Sequence, residues 1–258
     1  MKNLDIFLAH LREFEKNRQR HKDDLERIKC LDQASGRKEY AEIIADCFIP
    51  CAQAILSGHF RVVNNIDGNE LARLIFPTAI ELYYHEEGDG RFKDPIMYHT
   101  DDRKNAVHRK KIKVQEYFKE RRIQGLPYFP IGNMNPHTSG IDITFENPVE
   151  RYRASFLIRK YMIQYESGTR RTVVNSTDLY DDLLINGISI NGTDCLEWID
   201  VNNACEVSRG WRQNVPSYNV TDPLPENWFK IEAEGVGTFQ SGKARFAKCP
   251  FDWQFYKK

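Results

Sequence analysis

The sequence predicts an α+β fold: helices first, then a mainly antiparallel sheet core with surrounding helices and long loops. Two patterns carry this. Early in the chain, apolar positions recur at helical spacing among dense charge, beginning with Leu4, Phe7, Leu8, Leu11 and Phe14. From His59 onward, short runs rich in Val, Ile, Tyr and Phe are bounded by Gly, Pro, Asn and Asp, the pattern of strands and turns. At 258 residues the chain is one large domain, or one domain with an appendage, and is long enough to bury a substantial core.

Taken in order, the first helical face continues through Leu25, Ile28 and Leu31. After Ser35-Gly36, the stretch EYAEIIADCFIPCAQAILSG predicts a helix that Pro50 interrupts and Gly58 stops. These helices are expected to cover one face of the core. HFRVV predicts a strand, NNIDGNE a turn with an Asp-Gly signal, and LARLIFPTAIELYY a strand-rich continuation. Three prolines and two glycines in PYFPIGNMNPHTSGIDITF frame a tight loop ahead of the strand GIDITF. YRASFLIRKY predicts another strand, and NSTDLYDDLLINGISINGTD a Ser/Asp-capped helix.

Charge and cysteine usage bound the function classes. Lysine plus arginine equal aspartate plus glutamate at 37 each, so only a local patch can argue for nucleic acid. Such a patch runs from Asp101 to Gln124, with nine Lys/Arg against four Asp/Glu. It includes Arg103, Lys104, Arg109, Lys110, Lys111 and Lys113, either a solvated face or an element that contacts phosphates. The charged N-terminus has no signal-peptide core, and no apolar run reaches membrane-span length. The six scattered cysteines form no C-x-x-C pair, the usage of a reduced, cytoplasmic protein. No P-loop, no H-E-x-x-H and no Asp/His cluster at metal-ligand spacing stands in the chain, so metal-free and cofactor-free chemistry is expected.

The chemistry-bearing residues are embedded in the predicted strands. Glu81 lies between Ile80 and Leu82, where a carboxylate is seldom buried unless paired or functional. It reads either as one half of an ion pair bracing the sheet or as a general base that activates water. Arg159 sits inside an apolar strand and needs a carboxylate partner, for which Glu81 is the obvious candidate. Asp142, in the strand GIDITF, reads as a loop-capping aspartate or as an acceptor in a pocket. His99, in DPIMYHT, reads as a surface group or as a pocket residue.

The order of these residues resembles the alkyladenine (3-methyladenine) DNA glycosylase family. There a strand carries Glu-x-Tyr, a histidine follows, and a later strand pair carries an apolar-Asn-Ile-Ser run and then Leu-Leu-Arg. Here the matching segments are AIELYY, DPIMYHT, GIDITF and SFLIRKY. The resemblance covers residues 47–258 and implies a catalytic domain with a curved sheet, a basic insertion at about 101–124 and an N-terminal helical extension of residues 1–46 outside the core. It implies that Glu81 activates water with Arg159, and that Tyr83 and His99 flank an extruded base. The family's closing Gly-Val-Gly segment corresponds to Gly235-Val236-Gly237, where the Val236 backbone would face the catalytic water.

Two positions depart from the family. Its base-displacing tyrosine has no counterpart; the resemblance puts the Asn133–His137 loop at the hairpin tip, which leaves Met134 or Asn135 as the wedge. Asp142 stands where the family has an asparagine, which implies an altered base preference. The expected protein is a monomeric, monofunctional DNA glycosylase, away from membranes, acting on DNA with an unusual modified base. A bulky viral base, and with it a defence role, is one instance. A non-catalytic nucleic-acid-binding module of the same fold and a free-nucleoside hydrolase are the alternatives.

Overall fold

The computed structural model describes residues 3–28, 31, 34–66, 69–94, 97, 128–137, 140–182, 196–201, 204–210, 212, 217–219, 244–246 and 251–258. It bears out the α+β class with a curved, antiparallel sheet. The sheet is built on two long strands, β2 (Asn69–Glu86) and β5 (Tyr152–Tyr165), paired along most of their length. The outer edge of each is shared by two shorter strands. β1 (His59–Ile66) takes the first half of β2, and β11 (Gln254–Lys257) takes the second. On β5, the hairpin of β3 (Met134–His137) and β4 (Gly140–Thr144) joins the first half, and β6 (Arg170–Val173) joins the second. β7 (Leu196–Ile199) extends the sheet beyond β1, and β8 (Val207–Gly210) extends it beyond β11. A separate ribbon pairs β9 (Ser217–Asn219) with β10 (Ala244–Phe246).

Residues directly opposite in an antiparallel sheet share a face, so the register sorts the sequence into two surfaces. Ile143, Phe156 and Leu82 form one rung, and Ile158, Ile80 and Phe255 another. This apolar face meets the helices α1 (Leu4–Leu11), α2 (Glu13–Arg20), α3 (Lys22–Arg27) and α4 (Ala34–Ser57). Phe48 of α4 packs edge-on against Phe156 at 5.3 Å and stacks on Phe14 of α2 at 3.8 Å. Trp253 Nε1 donates to the Ala41 carbonyl at 3.1 Å and fixes the chain leading into β11 against α4.

Two expectations about the helices are corrected. The first 46 residues do not lie outside the core: Phe7, Leu11 and Phe14 are fully buried, and Phe7 packs on Phe60 and Trp198 of the sheet. A boundary at residue 46 would cut through α4. Pro50 does not interrupt that helix either. Proline removes one backbone donor, but Phe48, Cys51, Ala52 and Ile55 on both sides of it are buried, and that packing holds the helix together. The span Ser35–Ser57 has the length and composition to cross a membrane; here it is the helix at the centre of the core.

Candidate active site

The opposite face of the sheet is polar and equally buried. Its central rung runs Gln254, Glu81, Leu157, Asp142, Asn135 across five strands. The next rung is Tyr83, Ser155, Thr144. All of these residues are 4% exposed or less, an unusual concentration of polar side chains for a sheet interior. In a structural face such groups would be apolar, because an unpaired buried polar atom is costly.

Glu81 is the centre of this face and has no solvent exposure. Arg159 Nε lies 3.5 Å from its Oε1, and the Tyr83 hydroxyl donates to its Oε2 at 2.9 Å. The expected Glu81–Arg159 pair therefore forms. It depends on a break in register: Ile158 pairs with Ile80 and Lys160 with Ala79, so Arg159 is passed over, as is Thr78 between Pro77 and Ala79. A residue left over in this way bends its strand and re-aims its side chain. Pro77 lies beside the break, and without an N–H it cannot donate to the ladder. Arg159 Nη1 in turn donates to Ser176 Oγ at 3.1 Å. Gly140 lets the segment carrying Ser176 come that close: its φ is +137°, and a Cβ there would lie 2.8 Å from the Ser176 carbonyl oxygen. The short helix α5 (Asp178–Asp182) follows, near the start of the stretch expected to be a capped helix; the rest of that stretch, from residue 183, lies outside the described residues.

Tyr83 is held from its other side by a pair that the sequence reading missed. Arg212 lies 5.1 Å from the centre of the Tyr83 ring and the same distance from that of Trp253. Its guanidinium grips Asp94 through two nitrogens, at 2.7 and 3.1 Å, and donates to the Leu82 carbonyl at 3.0 Å. Asp94 and Arg212 have no exposed side-chain surface, so Tyr83 has little freedom to rotate. An aspartate and an arginine over a hundred residues apart give no local pattern from which to infer the pair.

Further along the same face, Arg153 is fully buried between Glu87 at 2.7 Å and Glu146 at 3.0 Å, with the Tyr128 ring 4.0 Å from its guanidinium. Glu146 is pushed up to about 8, chiefly by burial; Arg153 opposes that rise, and the Asp142 charge adds to it.

The structure relocates the two wedge residues. Met134 and Asn135 stand in β3, not at a hairpin tip; the strands close at the His137–Gly140 pair. Met134 is paired with Ile143 on the helix-facing side and is 1% exposed, so it has no surface to push into DNA. Asn135 pairs with Asp142 and joins the polar rung. His99, Val236 and the basic residues Arg103, Lys104, Arg109, Lys110, Lys111 and Lys113 lie outside the described residues. Among the described residues, no group of three His, Cys, Asp or Glu side chains is placed to hold a metal ion.

Further residues that the sequence reading passed over are Ser155 and Gln254, both fully buried on the Glu81 face. Ser155 Oγ and Gln254 Nε2 have no hydrogen-bond partner among the described residues. A lone glutamine in the apolar run DWQFY was the available signal. No family model, curated protein or solved structure is significantly similar to this chain.

Proposed function

We propose that this protein is a monofunctional DNA N-glycosylase. It extrudes a modified base and hydrolyses its N-glycosidic bond with a water activated by Glu81, leaving an abasic site. The observation that carries the reading is the environment of Glu81: a buried carboxylate oriented by Arg159 on one oxygen and by Tyr83 on the other, on one rung with Asp142. A general base needs this kind of fixed geometry. The order Glu-x-Tyr, Asp-Ile-Thr, Leu-Ile-Arg supports the same reading through its resemblance to the alkyladenine DNA glycosylases.

Asp142 favours a target base that presents N–H or hydroxyl donors, which directs the activity towards unusual modified bases, among them the hypermodified bases of viral genomes, and so towards an antiviral role. The basic segment 101–124 supplies phosphate contacts.

A second reading rests on the complete burial of Glu81: a nucleic-acid-binding module of this fold in which the pair with Arg159 only braces the sheet. Abasic-site formation separates the two. Purified wild type and Glu81→Gln are incubated with plain, deaminated, alkylated and hypermodified duplexes and then treated with alkali. Strand cleavage by the wild type and none by the variant is the expected result. Salt-sensitive binding without cleavage on any DNA favours the module.

A further inference from the structure

We propose that Gln254 holds the nucleophilic water against Glu81, and that Tyr256 locks the Gln254 amide in the orientation this requires. The inference rests on the base-excising reading of Glu81. Gln254 stands directly opposite Glu81 in the β2–β11 ladder, so the two side chains project from the same face as cross-strand neighbours. The glutamine is fully buried, and its two amide ends are treated differently. Oε1 accepts a hydrogen bond from the Tyr256 hydroxyl at 2.5 Å. Nε2 has no hydrogen-bond partner among the described residues. Buried polar groups are almost always paired, so an amide donor left over beside a buried carboxylate marks the position of a polar ligand.

The lock is itself built into the strand pair. Gly210 of β8 is opposite Gln254, and the Tyr256 ring lies over it: a Cβ at Gly210 would be 2.9 Å from Tyr256 Cε2 and 3.4 Å from its hydroxyl. Any side chain at position 210 would push the ring away from Gln254. With the hydroxyl bound at Oε1, the amide cannot flip without losing that bond, and its N–H groups stay directed into the site. Burial and then the Glu81 charge raise the Tyr256 phenol, which keeps it protonated as a donor at neutral pH.

This arrangement suits a water molecule. It donates one hydrogen to Glu81 and accepts one hydrogen bond from Gln254 Nε2, which leaves its second lone pair for attack. As the water oxygen bonds to C1′, Glu81 takes the donated proton. The C1′–N bond breaks with its electron pair going to the base, which picks up a proton from solvent. Glu81 then returns its proton to solvent. Gln254 touches the reacting water, whereas Tyr256 acts through Gln254 and is a positioning residue.

The test is single-turnover base release from three duplexes, carrying hypoxanthine, 7-methylguanine or glucosylated 5-hydroxymethylcytosine, by wild type, Gln254→Met, Tyr256→Phe and the double variant. On any duplex the wild type cleaves, Gln254→Met is expected to lower the chemical rate about 10- to 100-fold with DNA affinity unchanged. Tyr256→Phe is expected to lose less, about threefold to tenfold, and the double variant to be no slower than Gln254→Met, because the lock has nothing left to hold. Tyr256 is half-buried, so its variant carries the test even where Gln254→Met does not fold. A wild-type rate in Gln254→Met or Tyr256→Phe, multiplying losses in the double variant, or a loss confined to affinity overturns the inference while Glu81→Gln stays inactive. Absence of base release by the wild type from all three duplexes overturns the reading of Glu81, and this inference with it.

Discussion

Arg159 reaches Glu81 because it is passed over in its own strand pair: the register skips from Ile158–Ile80 to Lys160–Ala79, and its Nε comes to 3.5 Å from Glu81 Oε1. In a regular ladder Arg159 would face a β2 residue and be fixed beside it. The break ties the arginine to a carboxylate with no exposure, and removing either partner leaves the other in a poor environment.

Arg159→Ala is therefore expected to destabilise the fold by about 3 kcal/mol, since it leaves Glu81 buried without its counter-charge. Adding Glu81→Gln to that variant should restore part of the loss, because the uncompensated charge is gone. Chemical unfolding of the two single variants and the double variant measures this coupling; strictly additive losses would show that the pair does not interact.

Stability should also depend on Glu146. Burial raises its carboxyl from the usual 4.5 to about 8. A carboxyl with a raised folded-state value stabilises the fold fully below its unfolded value, and that stability is lost as pH rises through the folded value. The window here runs from about pH 4.5 to about pH 8. Thermal midpoints of the wild type should fall across it by roughly 5–10 °C relative to Glu146→Gln, which keeps the hydrogen-bonding shape without the charge. Parallel profiles for the two proteins would refute the assignment.

Gly140→Ala probes the support behind Arg159. The added Cβ meets the Ser176 carbonyl at 2.8 Å, in a backbone conformation with φ +137° that favours glycine. The segment carrying Ser176 must move, and Arg159 loses the hydroxyl on Nη1. Base release should drop more than the accompanying loss of stability explains, with DNA affinity kept; equal effects on affinity and rate would argue against it.

Deleting residues 1–46 should abolish folding and not merely trim an appendage. Phe14 stacks on Phe48, and Phe7 is in edge contact with Phe60, all of them buried. Even the single change Phe14→Ala is expected to cost about 3–5 kcal/mol, read as a shifted denaturant midpoint. A soluble, cooperative fragment 47–258 would restore the idea of a separable extension.

The Asp94–Arg212 pair makes a separate prediction about Tyr83. Arg212→Ala strips a buried carboxylate of the guanidinium that grips it through two nitrogens and frees one face of the Tyr83 ring. A loss of about 3–5 kcal/mol in stability is expected, recovered in part by Asp94→Asn in the same chain.

The sequence by itself determined the elements and the odd residues within them. Helical spacing marked α1, α2 and α4, and apolar runs marked the strands that carry Glu81 and Arg159. A carboxylate and an arginine each enclosed by apolar neighbours also announced themselves as partners, because neither is stable buried alone. Tertiary structure decided what depends on register and long-range pairing. It turned Met134 towards the helices and Asn135 towards Asp142, set Arg159 in the break beside Pro77, brought Arg212 onto Tyr83, and delivered Gln254 from the end of the chain to Glu81. The physical reason is that side-chain direction along a strand is a local, two-residue property, whereas the neighbour across the ladder is fixed by the sheet's register, in which a shift of one residue reverses every face.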